Sequence, residues 1–105
     1  MKPSKHHETL ADLFDALGHK RRQMICTVLL QHAPQGLPFE RLQAITGISA
    51  STLSHHLAKM DRGGLLHRRQ KGRFTWLSMD LSRIHRLPRE IGANKKGHAI
   101  GAALP

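Results

Sequence analysis

The sequence is short of cysteine, aromatics and acid, and each shortage excludes something. A single cysteine, Cys26, rules out an internal disulfide and any metal site made from several thiols of one chain. With three Phe, one Trp and no Tyr, the chain lacks the repeated stacking surfaces on which single-strand binders lay bases. No apolar run approaches the roughly 18 residues that span a bilayer. The opening residues, MKPSKHHE, lack the apolar stretch of a secretory signal. A cytoplasmic protein with no membrane partner is therefore expected. Acids number only 7, against 17 Lys and Arg, for a formal charge of +10.

What is present suits a polyanion. A chain of 105 residues has room for one small domain whose core is modest, so support from a second subunit is plausible on physical grounds. The charge is unevenly placed. Residues 59–105 hold 11 basic and 3 acidic side chains, which is +8 of the total. Such asymmetry points to a polyanion partner, though a basic chain can also be merely solvated or bind acidic lipid.

Hydrophobic spacing divides the chain into elements. Residues 1–6 read as a disordered leader, 7–91 as the domain, and 92–105, rich in Gly and Ala with Lys95 and Lys96, as a flexible basic tail. Leu10, Leu13, Phe14 and Leu17 define a helix over 7–17, stopped by Gly18. Met24, Ile25, Val28 and Leu29 define a second over 20–33, broken at Pro34-Gln35-Gly36. A short third helix covers 38–46, with Pro38 in its first turn and Phe39, Leu42 and Ile45 as its buried edge. Gly47 then supplies a tight turn and Ser49 a cap for the next helix.

That next helix, about 50–62, carries the functional signal. Leu53, Leu57 and Met60 form an apolar stripe, while Ser51, His55, Ala58, Lys59 and Arg62 lie opposite. Between Ser49 and Met60 there is no acid, as a surface facing phosphates requires. Gly63-Gly64 closes the helix. Two strands, 65–70 and 74–79, then flank a Lys71-Gly72-Arg73 turn. His67, Arg68, Arg69, Lys71 and Arg73 crowd this tip, where they repel one another unless an anion lies against them. A final helix over 81–87 is expected to end before Pro88. The fold class is mainly α with a small β-hairpin, a winged helix-turn-helix of order α-α-α-α-β-β-α.

Three pieces of the chain give a family resemblance: Ala16-Leu17-Gly18-His19-Lys20-Arg21-Arg22, Ser51-Thr52-Leu53-Ser54-His55-His56-Leu57, and Gly64-Leu65-Leu66 leading into Lys71-Gly72-Arg73. Over residues 10–81 the chain resembles the ArsR-type winged helix-turn-helix repressors. The resemblance implies a homodimer formed by the first and last helices, bound to a pseudo-palindromic operator in double-stranded DNA. It implies DNA contacts from Ser51, Thr52, Ser54 and His55, with Lys59 on phosphate, and wing contacts from Arg68, Arg69, Lys71 and Arg73. His56 sits at the edge of the buried stripe and is open to two readings, a DNA contact or a packed core histidine. The dimer interface implied comprises Leu10, Leu13, Phe14, Leu81, Ile84 and Leu87.

No cofactor and no metal is expected. Metal-sensing relatives use a Cys-x-Cys-type motif on the third helix, where this chain has Leu37-Pro38-Phe39-Glu40-Arg41-Leu42. Other relatives use a ligand set along the last helix; Asp80, His85 and His98 are wrongly spaced for it, and Pro88 and Gly92 are expected to interrupt that helix. Cys26 reads as a small semi-buried side chain. Glu8, Asp12 and Asp15 lie on one solvated helix side with no nucleophile or phosphate loop, so an enzyme is not expected. The alternative function is a non-specific nucleic-acid module acting on RNA or as an architectural DNA binder. Double-stranded RNA would not admit the 50–62 helix into its narrow major groove.

Overall fold

A computed structural model describes residues 5–92, and side chains from Leu10 to Arg89. The order is α1 (Lys5–Leu17), α2 (Lys20–Gln31), β1 (Leu37–Pro38), α3 (Phe39–Thr46), α4 (Ala50–Arg62), β2 (Leu66–Lys71), β3 (Phe74–Met79) and α5 (Ser82–Gly92). Helix α1 thus begins two residues earlier than its apolar spacing predicts. The remainder of the expected leader and the tail beyond Gly92 lie outside the described residues.

One core joins all the layers. Leu13, Ala16, Ile25, Leu29, Leu42, Leu53, Leu57, Met60, Leu65 and Leu77 are fully buried together. The stripes read from the sequence on α1, α2 and α4 therefore face one another in the main, but Phe14 on α1 and Met24 on α2 are exposed, and α3 differs as well. Leu42 is buried, but Ile45 is 45% exposed. Residues spaced three and then three drift about 60° per step around a helix, so Phe39, Leu42 and Ile45 do not form one edge.

The helix-turn-helix connection follows the expected chemistry. Gly47 takes the left-handed conformation (φ 71°), and its N–H donates to the Gln43 carbonyl at 2.9 Å. Ser49 then caps α4, its hydroxyl accepting from the Thr52 N–H at 3.4 Å. At the other end Gly63 sits against α1. A Cβ there would lie 2.6 Å from the Ala16 Cβ and 2.9 Å from the Asp12 carbonyl oxygen, so α1 and α4 cross at a contact that only glycine fits.

Strand β1 is absent from the sequence reading. Leu37 pairs with Leu77 and Pro38 with Trp76, giving an antiparallel sheet of order β1-β3-β2. Two residues are too few for an alternating pattern, and Pro38 signals a helix start. It is in fact the extended residue before α3, on an edge strand where a missing N–H is tolerated.

Helix α5 also differs from expectation: it passes through Pro88 and runs to Gly92. Proline removes one ladder bond and disfavours helix in the preceding residue without forbidding it. Pro88 lies on the exposed side, while Ile84 and Leu87 pack against the core. The Asp80 carboxylate accepts from the Ser82 N–H and hydroxyl at 3.0 and 2.6 Å, which anchors the first turn. These bonds, ahead of nearby His67 and Arg86, hold the Asp80 carboxyl below its usual range.

Candidate nucleic-acid interface

Helix α4 sorts its side chains by angle. Taking Ala58 as the centre and about 100° per residue, Asp61 and Ser54 lie roughly 60° and 40° to one side. Ser51, Arg62, His55 and Lys59 lie roughly 20°, 40°, 60° and 100° to the other, with His56 near 160°. Observed burial follows this wheel: Ser51, Ser54, His55, Ala58 and Arg62 are exposed, Thr52 and Lys59 half-buried, and Leu53, His56, Leu57 and Met60 buried. The exposed arc is thus made of small, hydroxylic, imidazole and cationic groups, and its single acid, Asp61, stands at one border.

His56 is the first correction. It is only 5% exposed, which places it in the core and removes it from the candidate DNA contacts. Its Nδ1 lies 3.2 Å from Nη1 of Arg22. Arg22, itself buried, also donates to the carbonyls of Ala16 (3.0 Å) and Asp15 (2.7 Å). One guanidinium therefore closes the last turn of α1 and ties it to α2 and α4. A guanidinium has only donors, so His56 accepts at Nδ1 and carries its proton on Nε2. Burial pushes the His56 pKa down, and the nearby His19 and Arg22 push it further in the same direction. The sequence reading missed this use of Arg22; a lone arginine in a basic run gives no signal of burial.

The two long cations at the borders of the arc are held by acids. Lys59 Nζ lies 3.2 Å from the Asp15 carboxylate of α1, and this bond, ahead of other nearby charges, lowers the Asp15 pKa. Arg68 Nε lies 2.6 Å from the Asp61 carboxylate, pinning β2 to the end of α4.

The wing has two dissimilar faces. Cross-strand partners share a face, so the register of Arg68 with Leu77 and Gln70 with Thr75 turns those residues toward α4. Arg69 with Trp76, and Lys71 with Phe74, occupy the reverse face. There Lys71 Nζ stands 4.5 Å from the Trp76 ring centre. At the tip Gly72 adopts φ 62°, and Arg73 sits 5.5 Å from the centre of the 41%-exposed Phe74 ring. The four wing cations expected to act together are thus divided: Arg69, Lys71 and Arg73 outward, Arg68 tied back.

Leu13, expected at a dimer interface, is also corrected. It is completely buried within the protomer beneath the α1–α4 crossing. Phe14 beside it is 49% exposed, while Leu10, Leu81, Ile84 and Leu87 are half-buried. Cys26 is buried, and desolvation raises its thiol pKa, which suppresses thiolate chemistry. Among the described residues, no three His, Cys, Asp or Glu side chains converge on a point that could hold a metal ion.

A capped helix on a tight turn, with an exposed arc whose one acid stands at its border beside a cationic hairpin, defines a winged helix-turn-helix protein. Comparison with known proteins agrees. A family model described as a helix-turn-helix domain matches residues 8–69. A solved structure from E. coli, named a predicted DNA-binding transcriptional regulator, is 30% identical with TM-score 0.59, over 76% of this chain and 82% of that one. The winged helix-turn-helix domain Mb0332 of Mycobacterium bovis, named a homodimer and a possible ArsR-family regulator, is 24% identical with TM-score 0.64, over 89% and 88%. The transcriptional repressor BigR of Xylella fastidiosa is 21% identical with TM-score 0.61, over 85% and 88%. Among curated proteins no sequence matches significantly. The chain belongs to the helix-turn-helix family, and its fold is the ArsR-type winged helix-turn-helix of DNA-binding transcriptional regulators rather than of enzymes.

Proposed function

We propose that the protein is a homodimeric transcriptional repressor that reads a pseudo-palindromic operator, with α4 of each protomer in a major groove. The observation that carries this reading is the exposed arc of α4, which offers no acid from Ser49 to Met60 and is flanked by the wing. Ser51, Thr52, Ser54 and His55 are the groups placed to meet base edges and adjacent phosphates. Arg69, Lys71 and Arg73 supply backbone or minor-groove contacts from the wing. Lys59 and Arg68 reach phosphate only by exchanging their carboxylate partners for it. Dimerisation through α1 and α5 joins Leu10 and Phe14 to Leu81, Ile84 and Leu87. The homodimer named for the Mycobacterium bovis domain and the repressor named for Xylella fastidiosa support this assembly and this direction of control. The chain's residues call for no cofactor in this reading.

The test is fluorescence anisotropy with DNA from upstream of the protein's own gene, scrambled duplex and hairpin RNA, at two salt concentrations. A preference for the upstream duplex that survives higher salt, and that His55→Ala alters, is the expected outcome. Equal binding to all three, lost together as salt rises, would replace this reading with a non-specific nucleic-acid binder.

A further inference from the structure

The wing touches only one border of the α4 arc, through the Arg68–Asp61 pair. The opposite border, near Lys59 and His56, is formed by the turn between α1 and α2. His19, the N-cap of α2, lies with its ring 4.7 Å from that of His56, and the His55 ring is 6.1 Å from His56 on the exposed side. The His19 Nδ1 accepts from the Arg21 N–H at 3.0 Å, which fixes the conformation of the turn. Lys20 and Arg21 project from it, both exposed. Among the described residues neither has a carboxylate within ion-pair distance. Asp15, at the same border, is already taken by Lys59 and Arg22.

We propose that Lys20 and Arg21 form a second phosphate-binding surface, taking the DNA strand on the side of the major groove opposite the wing. This surface presupposes the functional reading above and follows from groove geometry. A helix lying in a major groove has a sugar-phosphate backbone along each of its sides, about 12 Å apart across the groove. A cationic hairpin on one side alone leaves the other backbone without a partner. The α1–α2 turn occupies that side, and among the described residues its two cations are paired with no acid. Arg22, two positions from Lys20, holds the turn against α4 through its bonds to α1 and His56, so the backbone that carries both cations is tied to the recognition helix. The ligand is the phosphodiester backbone, without regard to base.

The experiment compares the full-length wild type with the double variant Lys20→Ala/Arg21→Ala, the charge-preserving Lys20→Arg/Arg21→Lys, and the wing variant Arg69→Ala/Lys71→Ala. Binding to a duplex enriched from a random pool by the wild type, and to unselected duplex, is followed across a salt series, with helical circular dichroism on each variant. The alanine pair is expected to weaken both duplexes alike, on the order of tenfold at low salt, and to lower the salt slope by about 0.9 for each phosphate no longer neutralised. The charge-preserving pair should restore the slope. In ethylation interference on the selected duplex, the alanine pair should abolish signals on the flank opposite those that the wing variant abolishes. A folded alanine pair with wild-type slope and interference pattern would overturn the inference and leave the repressor reading intact. Failure of the wild type to enrich any sequence would overturn the repressor reading, while the unselected duplex still decides the backbone binding. A wild type that binds no duplex overturns both.

Discussion

At the scale of single residues, the buried Arg22–His56 contact is the most consequential feature. His56 sits on the recognition helix, yet it faces inward and accepts a bond from a buried cation. Its Nε2 is buried without a hydrogen-bond partner among the described residues. Protonation would put a second positive charge against Arg22 and end the bond at Nδ1. Because burial and its neighbours depress the pKa in the folded chain, the unfolded chain binds the proton more readily. Stability is then fully present above the ordinary histidine value of 6.5 and is lost as pH falls below it toward the depressed folded value. The melting temperature should therefore drop between about pH 7.5 and about pH 5.5, and the drop should be smaller in His56→Gln, whatever that variant's absolute stability. Equal pH slopes in the two proteins would show that another group controls the acid response. The sequence left His56 undecided because its position, one residue from the apolar stripe, is compatible with either side of the helix boundary.

At the scale of elements, the α1–α4 crossing sets where the recognition helix stands. Gly63 lies where a Cβ would come 2.6 Å from the Ala16 Cβ and 2.9 Å from the Asp12 oxygen, and α1 backbone cannot yield as a flexible side-chain end could. Gly63→Ala should therefore cost about 1–3 kcal/mol in urea unfolding. Gly47→Ala has open space around it and should cost only about 1–2 kcal/mol for its left-handed backbone. Gly63 itself is right-handed (φ −79°), so a loss at Gly63→Ala well below about 1 kcal/mol would show that α1 shifts to admit the methyl. The elements with clear periodicity, α1, α2 and α4, were readable because each presents a stripe to a common core. The hairpin was readable from its Lys71-Gly72-Arg73 turn, and β3 lies at its expected bounds. Strand β1 was not readable, since its two residues take strand form only by pairing with Leu77 and Trp76. Nor was the length of α5, where packing of Ile84 and Leu87 overrides the local preference that Pro88 imposes.

At the scale of the whole molecule, a half-exposed phenylalanine and a strongly amphipathic last helix leave an apolar face on a small, highly charged protein. Phe14, 49% exposed, is the residue whose substitution tests dimerisation without disturbing the protomer core, as a change at the fully buried Leu13 would. On the proposed homodimeric reading, Phe14→Glu should be monomeric in sedimentation equilibrium where the wild type is a dimer, and its DNA affinity should fall by orders of magnitude, because a monomer neutralises only half as many phosphates. A dimer that persists would move the interface elsewhere on the molecule. No helix of the described residues is long and apolar enough to cross a membrane.

The sequence by itself determined the class of fold, the order of its main elements and the face of α4 that meets solvent, because those follow from local periodicity, capping and turn chemistry. Only the tertiary structure decided which cations are available to an anion. Lys59 and Arg68 are paired with Asp15 and Asp61, Arg22 is buried on α1 carbonyls and His56, and Lys20 and Arg21 are left outward. These partners are remote in sequence or lie across an element boundary. Charge acts through distance in space, and only the packed chain fixes that distance.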